Sequence, residues 1–433
     1  MITSLKKMKN GSSDFLKNVL TIFSGNVIAQ AIPFLIEPVI ARIYSPEDFA
    51  VLAVYLSIAN LFSIIATGRY ELAVMLPEKD KKAVNVIALS LLISLAVSAV
   101  SFLIVWIFNT QICNILENQD VSTYLYLVPL SVLSVGWFQT FNYWNSRKKR
   151  FKNVTYSKTT QSVTVSGASI GMGYAGMMPS GLILSQIIGQ FFGMFPLLFS
   201  FLKNDKGLVK EVNKAETKSV AIEYQDFPKI NSLHAFSDVV RNSGTVFLLS
   251  HFFTQAQVGQ HSKTIRLLFG PLSMIASAVG QVFYQKAASC YQSGGDLQKL
   301  VKKVVMALAS ISLPMFLVVI FFGPDLFAWF LGENWRVAGE YGRLLAPWVF
   351  LNFVTSPVSQ IPIVVNKQKA AFLINIVGHT IFLLSIAAGG IMGNIRFGFI
   401  LVSITQSLFL GFLIFWFIHI SKRKIMEGDG HEQ

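Results

Sequence analysis

Two carboxylates and five cationic side chains lie where apolar sequence would ordinarily exclude them. In "QAIPFLIEPVIARIYSPEDFAVLA" (30–53), Glu37 and Arg42 share an apolar run with Pro33 and Pro38. Asp238 and Arg241 stand in a second run, Lys263 and Arg266 in a third, and Arg69 closes a fourth. A charge at bilayer mid-depth costs about 3 kcal/mol on insertion scales, so each of these residues needs a reason to be there. Glu37 and Asp238 are candidates for binding and releasing a coupling ion. Arg69, Arg241, Arg266, Lys263 and Arg42 are candidates for meeting an anionic group, because guanidinium grips phosphate oxygens in bidentate fashion. Pro33 and Pro38 free backbone carbonyls and make a candidate hinge.

Spacing sharpens these candidates. Asn26, Gln30, Pro33 and Glu37 recur on one helical face; so do Asn231, His234, Asp238, Arg241 and Thr245, and again Lys263, Arg266, Gly270, Ser273, Ser277 and Gln281. Lipid-facing helices have no use for such stripes, which predicts that all three helices line something polar. Simpler readings stand beside this one. Asp238 and Arg241 are spaced for a structural ion pair, Arg42 and Lys263 for snorkelling to an interface, Glu37 for a bond to a neighbouring helix, and His234 for an ordinary satisfied polar residue.

The elements that position these residues are membrane helices. The 433 residues are 53% hydrophobic and 13% charged, with mean hydropathy +0.55, too apolar for a soluble domain. Runs of about 20 apolar residues recur, each long enough for a hydrocarbon core of about 30 Å. They predict an all-α polytopic membrane protein with twelve spans, near 19–42, 49–74, 84–108, 122–145, 154–176, 180–202, 230–252, 259–284, 302–323, 342–365, 370–390 and 397–420. The continuous apolar pattern excludes a transmembrane barrel. The basic N-terminus and long first apolar run predict no cleavable signal peptide.

Roughly three quarters of the 36 Lys and Arg residues fall in or beside alternate loops, which predicts that both termini face the cytoplasm. That bias also accounts for the net charge of +14 through topology and anionic lipid contact, without nucleic acid. The charged stretch 203–229 predicts a cytoplasmic linker between two six-helix lobes, 19–202 and 230–420, with an N-terminal segment 1–18 and a tail 421–433. An even number of spans per lobe predicts a pseudo-two-fold axis along the membrane normal. Faint internal similarity fits: aligning Tyr44 with Phe253 places Ser45 on Thr254, Phe49 on Val258 and Ala50 on Gly259. Cys113 and Cys290 are predicted in loops on opposite faces, and neither suggests a metal site.

The stretch from Arg42 through Tyr44–Glu47 and Phe49, followed by Arg69-Tyr70-Glu71, resembles the N-terminal region of bacterial O-antigen and capsule flippases. These are the Wzx-type transporters of the multidrug/oligosaccharidyl-lipid/polysaccharide (MOP) exporter superfamily. Ala50 departs from the glycine usual there. The resemblance implies a MOP/MATE-like fold and alternating-access transport of undecaprenyl-pyrophosphate-linked oligosaccharide across the bacterial inner membrane. It implies no cofactor, and as partners that lipid-linked oligosaccharide, membrane lipids, a polysaccharide polymerase and a chain-length regulator.

Two other classes compete with this reading. A MATE-like multidrug or cation antiporter would share the two-lobe plan but should concentrate carboxylates in its cavity, whereas the deep positions here lean basic. A membrane polysaccharide polymerase or glycosyltransferase would need catalytic groups in a sizeable outer loop, and the longest one predicted, 323–340, is short. No G-x-x-x-x-G-K-[ST] motif occurs, which argues against ATP hydrolysis by this chain.

Overall fold

Ser45 and Pro46 end one helix and start the next. The computed structural model describes residues 29–422, and within them α1 spans 29–43, running unbroken through Pro33 and Pro38. Pro46 disfavours helical backbone at Ser45, so the chain turns. Ser45 then caps α2 (Pro46–Ser63): its hydroxyl accepts from Asp48 N–H, and its own N–H donates to Asp48 Oδ2 at 2.8 Å. Asn26 lies outside the described residues.

The predicted second span is interrupted. After α2 the chain makes turns through 64–69 before α3 (Tyr70–Ala73), with Gly68 at φ +57° and Arg69 at φ +62°. Arg69 therefore occupies a left-handed turn between two helices, not a position two turns inside a continuous one, and φ of this sign is uncommon for a residue with a Cβ.

The remaining helices lie on the predicted spans, except α9, which falls in the predicted linker. They are α4 (Asp80–Ile115), α5 (Ser122–Leu125), α6 (Val128–Arg147), α7 (Phe151–Tyr174), α8 (Ser180–Asn204), α9 (Lys214–Glu223), α10 (Ser232–Phe252), α11 (Gln255–Gln292), α12 (Leu297–Leu331), α13 (Arg336–Thr355), α14 (Ile361–Val364), α15 (Gln368–Ile391) and α16 (Ile395–Ile420). Among the described residues there is no strand. Seven segments among the described residues are long and apolar enough to cross a membrane, or eight if α5 and α6, bent by 53°, form one span. The predicted spans that miss this threshold are α7 and α10, together with the interrupted second span and the partly described first.

Two loop expectations are overturned. Cys113 is in the last turn of α4 and fully buried, and Cys290 is in α11. The outer loop 323–340 is mostly helical: α12 continues to Leu331, and a single 3-10 turn (Glu333–Trp335) leads into α13.

Packing of α4 is inside out. Ser90, Ser94 and Ser101 are buried, each satisfying its hydroxyl on a backbone carbonyl three or four residues back, while Leu92, Leu103, Trp106 and Phe108 are exposed. Small polar residues toward protein and large apolar ones outward are what lipid surroundings select. The chain is a multi-pass membrane protein.

Packing divides the described residues into two compact units, one reaching to Lys263 and including Trp329–Trp335, the other comprising Thr264–Ala328 and the chain from Arg336 onward. That division falls inside α11. Segment 203–229 is not open chain: a 3-10 turn (Lys206–Glu211), α9 and a π turn (Phe227–Asn231) fold onto the first unit. Asn85 of α4 donates to Glu211 O and accepts from Asn213 N–H and Thr217 Oγ1, Tyr70 Oη donates to Ala221 O, and Val220 is buried in the adjoining apolar cluster.

The repeat glimpsed in the sequence has a structural counterpart. Thr254 precedes α11 as Ser45 precedes α2, and Thr254 N–H donates to Gln257 Oε1 at 3.1 Å while Gln257 N–H donates back to Thr254 Oγ1 at 3.4 Å. Both helices start with a reciprocal cap.

Candidate functional site

Four stretches of the first unit converge on one buried ion pair. Lys263 Nζ on α11 donates to Glu37 Oε1 on α1 at 2.5 Å, with Glu37 1% and Lys263 0% exposed. The ammonium also lies 3.3 Å from the centroid of the Phe49 ring and 4.5 Å from that of Trp335. Those rings meet edge to face at 5.3 Å. A cation out of water is stabilised by facing ring quadrupoles, and a carboxylate neutralises it.

The local sequence explains how this cage is held. The reciprocal cap at Ser45 and Asp48 fixes the entry of α2 and so aims Phe49. Tyr44 Oη donates to Ser169 O at 2.8 Å, pinning the same turn to α7. Trp335 Nε1 donates to Ala41 O at 2.8 Å, and Gln260 Nε2 donates to Asn334 O at 2.6 Å, which hold the 332–335 turn over the end of α1 and the start of α11. Gly259 lets α11 cross α2 at backbone distance; a Cβ there would sit 1.7 Å from Pro46 O.

The sequence placed Glu37 and Lys263 on separate helices with separate tasks, and the structure pairs them. Lys263 does not snorkel. Phe49 and Trp335, which complete the cage, were not among the candidates; the signal available was that Phe49 belongs to the same short motif as Arg42 and Tyr44.

A second cluster surrounds the α2–α3 turn. Arg69 Nη1 is 3.5 Å from Glu71 Oε1, and Thr67 Oγ1 donates to Glu71 Oε2. Glu71 is 1% exposed. Arg69 Nε is buried and lacks a hydrogen-bond partner among the described residues. Glu71 is a buried carboxylate that the sequence named only within the Arg69-Tyr70-Glu71 motif, and no helix face was drawn through it.

The other candidates are dispersed. Arg42 is exposed, its Nη1 3.4 Å from Pro38 O. On α10, Asp238 is exposed and Arg241 partly buried, with Arg241 donating to Asn242 Oδ1 at 3.0 Å through Nη2 and 3.3 Å through Nε. The side chains of Asn231 and His234 lie outside what the structure describes. In the second unit, Arg266, Gly270, Ser273, Ser277 and Gln281 are all exposed along one face of α11. A continuous polar exposed stripe on a helix of this hydropathy needs water or a polar ligand opposite it. Among the described residues no group of three His, Cys, Asp or Glu side chains could hold a metal ion.

A family model described as "Polysaccharide biosynthesis protein" matches residues 39–340. The chain belongs to that family. The match begins within the cage-forming motif and ends just past the Trp335 turn, so every element of the ion-pair cage except Glu37 falls inside it. No curated protein matches significantly. Among solved structures, the fold is similar to an inward-facing multidrug resistance MATE family transporter of the MOP superfamily, at 12% identity and TM-score 0.73, over 90% of this chain and 94% of that one. It is similar also to the lipid II flippase MurJ in an inward closed conformation, at 13% identity and TM-score 0.71, over 94% of this chain and 90% of that one. An outward-facing MATE transporter matches with TM-score 0.59 at 12% identity, over 94% of this chain and 97% of that one. This polysaccharide biosynthesis protein thus has the fold of MOP superfamily transporters.

Proposed function

We propose that the chain is a flippase that carries undecaprenyl-pyrophosphate-linked oligosaccharide, an O-antigen or capsule repeat unit, across the bacterial inner membrane by alternating access coupled to an ion. It does so as twelve spans in two six-helix lobes joined through 203–229, with both termini cytoplasmic, and serves a polysaccharide polymerase and chain-length regulator downstream. The observation that carries this reading is the exposed stripe headed by Arg266 on α11, in a chain of a polysaccharide biosynthesis family. A pyrophosphate head is an anion with oxygens suited to guanidinium forks, and hydroxyl and amide groups along the same face suit a glycan.

In this reading Arg266 and Arg241 meet the pyrophosphate, Arg69 meets it after release from Glu71, and Arg42 attracts it at the exposed end of α1. Asp238 and Glu37 are the coupling carboxylates, with Pro33 and Pro38 as the hinge. Lys263 is occupied by Glu37 here and meets cargo only in a state that opens the pair.

A MATE-like cation antiporter is the second reading, favoured by the buried carboxylates Glu37 and Glu71. Complementation of a flippase-deleted strain separates the two. Arg266→Ala and Arg241→Ala should abolish surface polysaccharide at normal membrane abundance, with Lys rescuing only in part because it lacks the planar fork. Unimpaired export by both alanine variants would remove the support for an anionic cargo.

A further inference from the structure

The segment 203–229 carries six lysines and no arginine, together with five carboxylates. The structure sorts these charges. Asp205 is buried and held by Arg150 and the Trp144 indole, Glu211 pairs with Lys81 at 2.9 Å, and Glu223 pairs with Lys82 at 2.5 Å. Three carboxylates are thus spent on fastening the segment to α4, α6 and the α6–α7 turn. Lys203, Lys206, Lys210, Lys214 and Lys218 are all exposed, and none of the five makes an ion pair within 4 Å among the described residues. Exposed apolar side chains lie between and beside them: Val209 at 50%, Val212 at 36% and Ile222 at 58%.

Position in the fold says what such a surface meets. The segment starts where α8, a membrane-length apolar helix, ends, and it packs on the first turns of α4, another such helix. It therefore lies at the level where these helices leave the hydrocarbon core. There the adjoining phase is a layer of lipid headgroups. Compact, hydrated ammonium groups on flexible stems suit a diffuse array of phosphates, while the body of the protein uses Arg147 and Arg150 for fixed geometry at Asp80 and Asp205. Interspersed Val and Ile fit the apolar side of the same interface.

We propose that the face of 203–223 bearing Lys203, Lys206, Lys210, Lys214 and Lys218 is a docking surface for the anionic phospholipid headgroups of the leaflet it adjoins. It thereby holds α9 between lipid and α4. This surface is independent of the cargo reading, since it uses none of the residues assigned to the pyrophosphate.

The test compares the full-length protein in nanodiscs of phosphatidylcholine alone with discs containing phosphatidylglycerol at about a third of the lipid, by amide hydrogen exchange over 203–223. Exchange should slow at least about fivefold in the anionic discs. The difference should vanish in about 1 M salt, where the screening length falls to about 3 Å. Replacing all five lysines by Gln should erase it too, and a second set carrying only Lys206→Gln, Lys210→Gln and Lys214→Gln should reduce it should the full set fail to fold. Glu211→Gln with Glu223→Gln serves as the contrast, quickening exchange equally in both lipids because it loosens the attachment to α4. Equal exchange in both disc types at low salt overturns the proposal. So does protection gained in phosphatidylcholine discs on adding RNA or an acidic polypeptide but not on adding phosphatidylglycerol, which would assign the lysines to a soluble polyanion.

Discussion

Replacing Lys263 by Met tests the caged ion pair directly. At 2.5 Å, two unit charges attract by about 7 kcal/mol for an effective dielectric of about 20. Each ion has also given up several kcal/mol of hydration, so the intact pair contributes little net stability. Removing one partner does not share that cancellation. The remaining group can always escape by becoming neutral, which sets a ceiling. At pH 7 a carboxylate of ordinary pKa near 4.3 takes up a proton at about 3.7 kcal/mol, and an amine near 10.4 loses one at about 4.6 kcal/mol. Lys263→Met therefore costs about 4 kcal/mol for the orphaned carboxylate plus about 2 kcal/mol for the lost contacts with Phe49 and Trp335. Glu37→Gln costs somewhat less than the amine ceiling, since the amide can still accept a hydrogen bond. The double variant Glu37→Gln/Lys263→Met leaves no charge and is expected within about 2 kcal/mol of the parent, as when a buried pair is replaced by neutral side chains of similar volume. Unfolding of the four proteins in one detergent gives the coupling energy. A favourable coupling of at least about 2 kcal/mol between the sites is expected. The penalty in Lys263→Met should also shrink by about 1.4 kcal/mol for each unit of acidification from pH 7 toward 4.3, because its folded state then holds a proton that the unfolded chain lacks. Additive single effects with no pH dependence would refute the reasoning.

Gly259→Ala drives a methyl into the Pro46 carbonyl, 1.7 Å from an ideal Cβ; loss of folded protein by size-exclusion chromatography is expected, while Gly411→Ala, with nothing within 4 Å, should behave as the parent. Burial pushes the Asp80 carboxyl up, but hydrogen bonds from Lys148 and Arg147 outweigh it and hold the group below its ordinary 3.8. Its stabilisation, screened at 38% exposure to about 1 kcal/mol or less, is thus present above pH 3.8 and fades as pH falls through the lowered value. Asp80→Asn should accordingly lose stability at neutral pH and flatten the acid limb of the unfolding profile. Tyr44→Phe leaves Ser169 O without its donor and should cost about 1–2 kcal/mol by the same measurement. Buried Cys113 is a poor reporter of sidedness, so a protein lacking both cysteines should carry Met178→Cys or Lys210→Cys. An impermeant thiol reagent is expected to label the first in intact cells and the second only after permeabilisation, and the reverse pattern would overturn the predicted orientation.

Helix positions were legible because about 20 apolar residues in a row have few alternatives in a folded chain. The turn after the first helix was legible in the short motif around Ser45 and Pro46, whereas the reciprocal caps completed by Asp48 and Gln257 were not read from it. Partnerships across the chain were hidden. Nothing in the spacing of Glu37 indicates Lys263, which lies far along the sequence, or that Trp335 closes the cage from an expected loop. The break at 64–69 was hidden too, because its residues are apolar enough to continue the helix and Gly68 alone is weak evidence against it. That charged segment 203–229 folds back on α4 was hidden as well, because its anchors, Asn85, Tyr70 and Lys82, are supplied by distant helices.

The inside-out arrangement of α4 bears on which substitutions this chain can absorb. In a water-soluble domain, exchanging a large apolar residue is tolerated outside and punished inside. Here Leu92, Leu103, Trp106 and Phe108 face outward, where one greasy side chain serves nearly as well as another. The intolerant positions are the small ones. Ser94 is met by Gly136 of α6, where even an added Cβ would come within 2.8 Å of the serine Cβ. Mutational drift should therefore scramble the bulky residues of α4 and spare its buried serines and the glycine that faces them. A saturation library read out by membrane abundance would consequently show its deepest troughs at the least hydrophobic letters of a strongly hydrophobic helix.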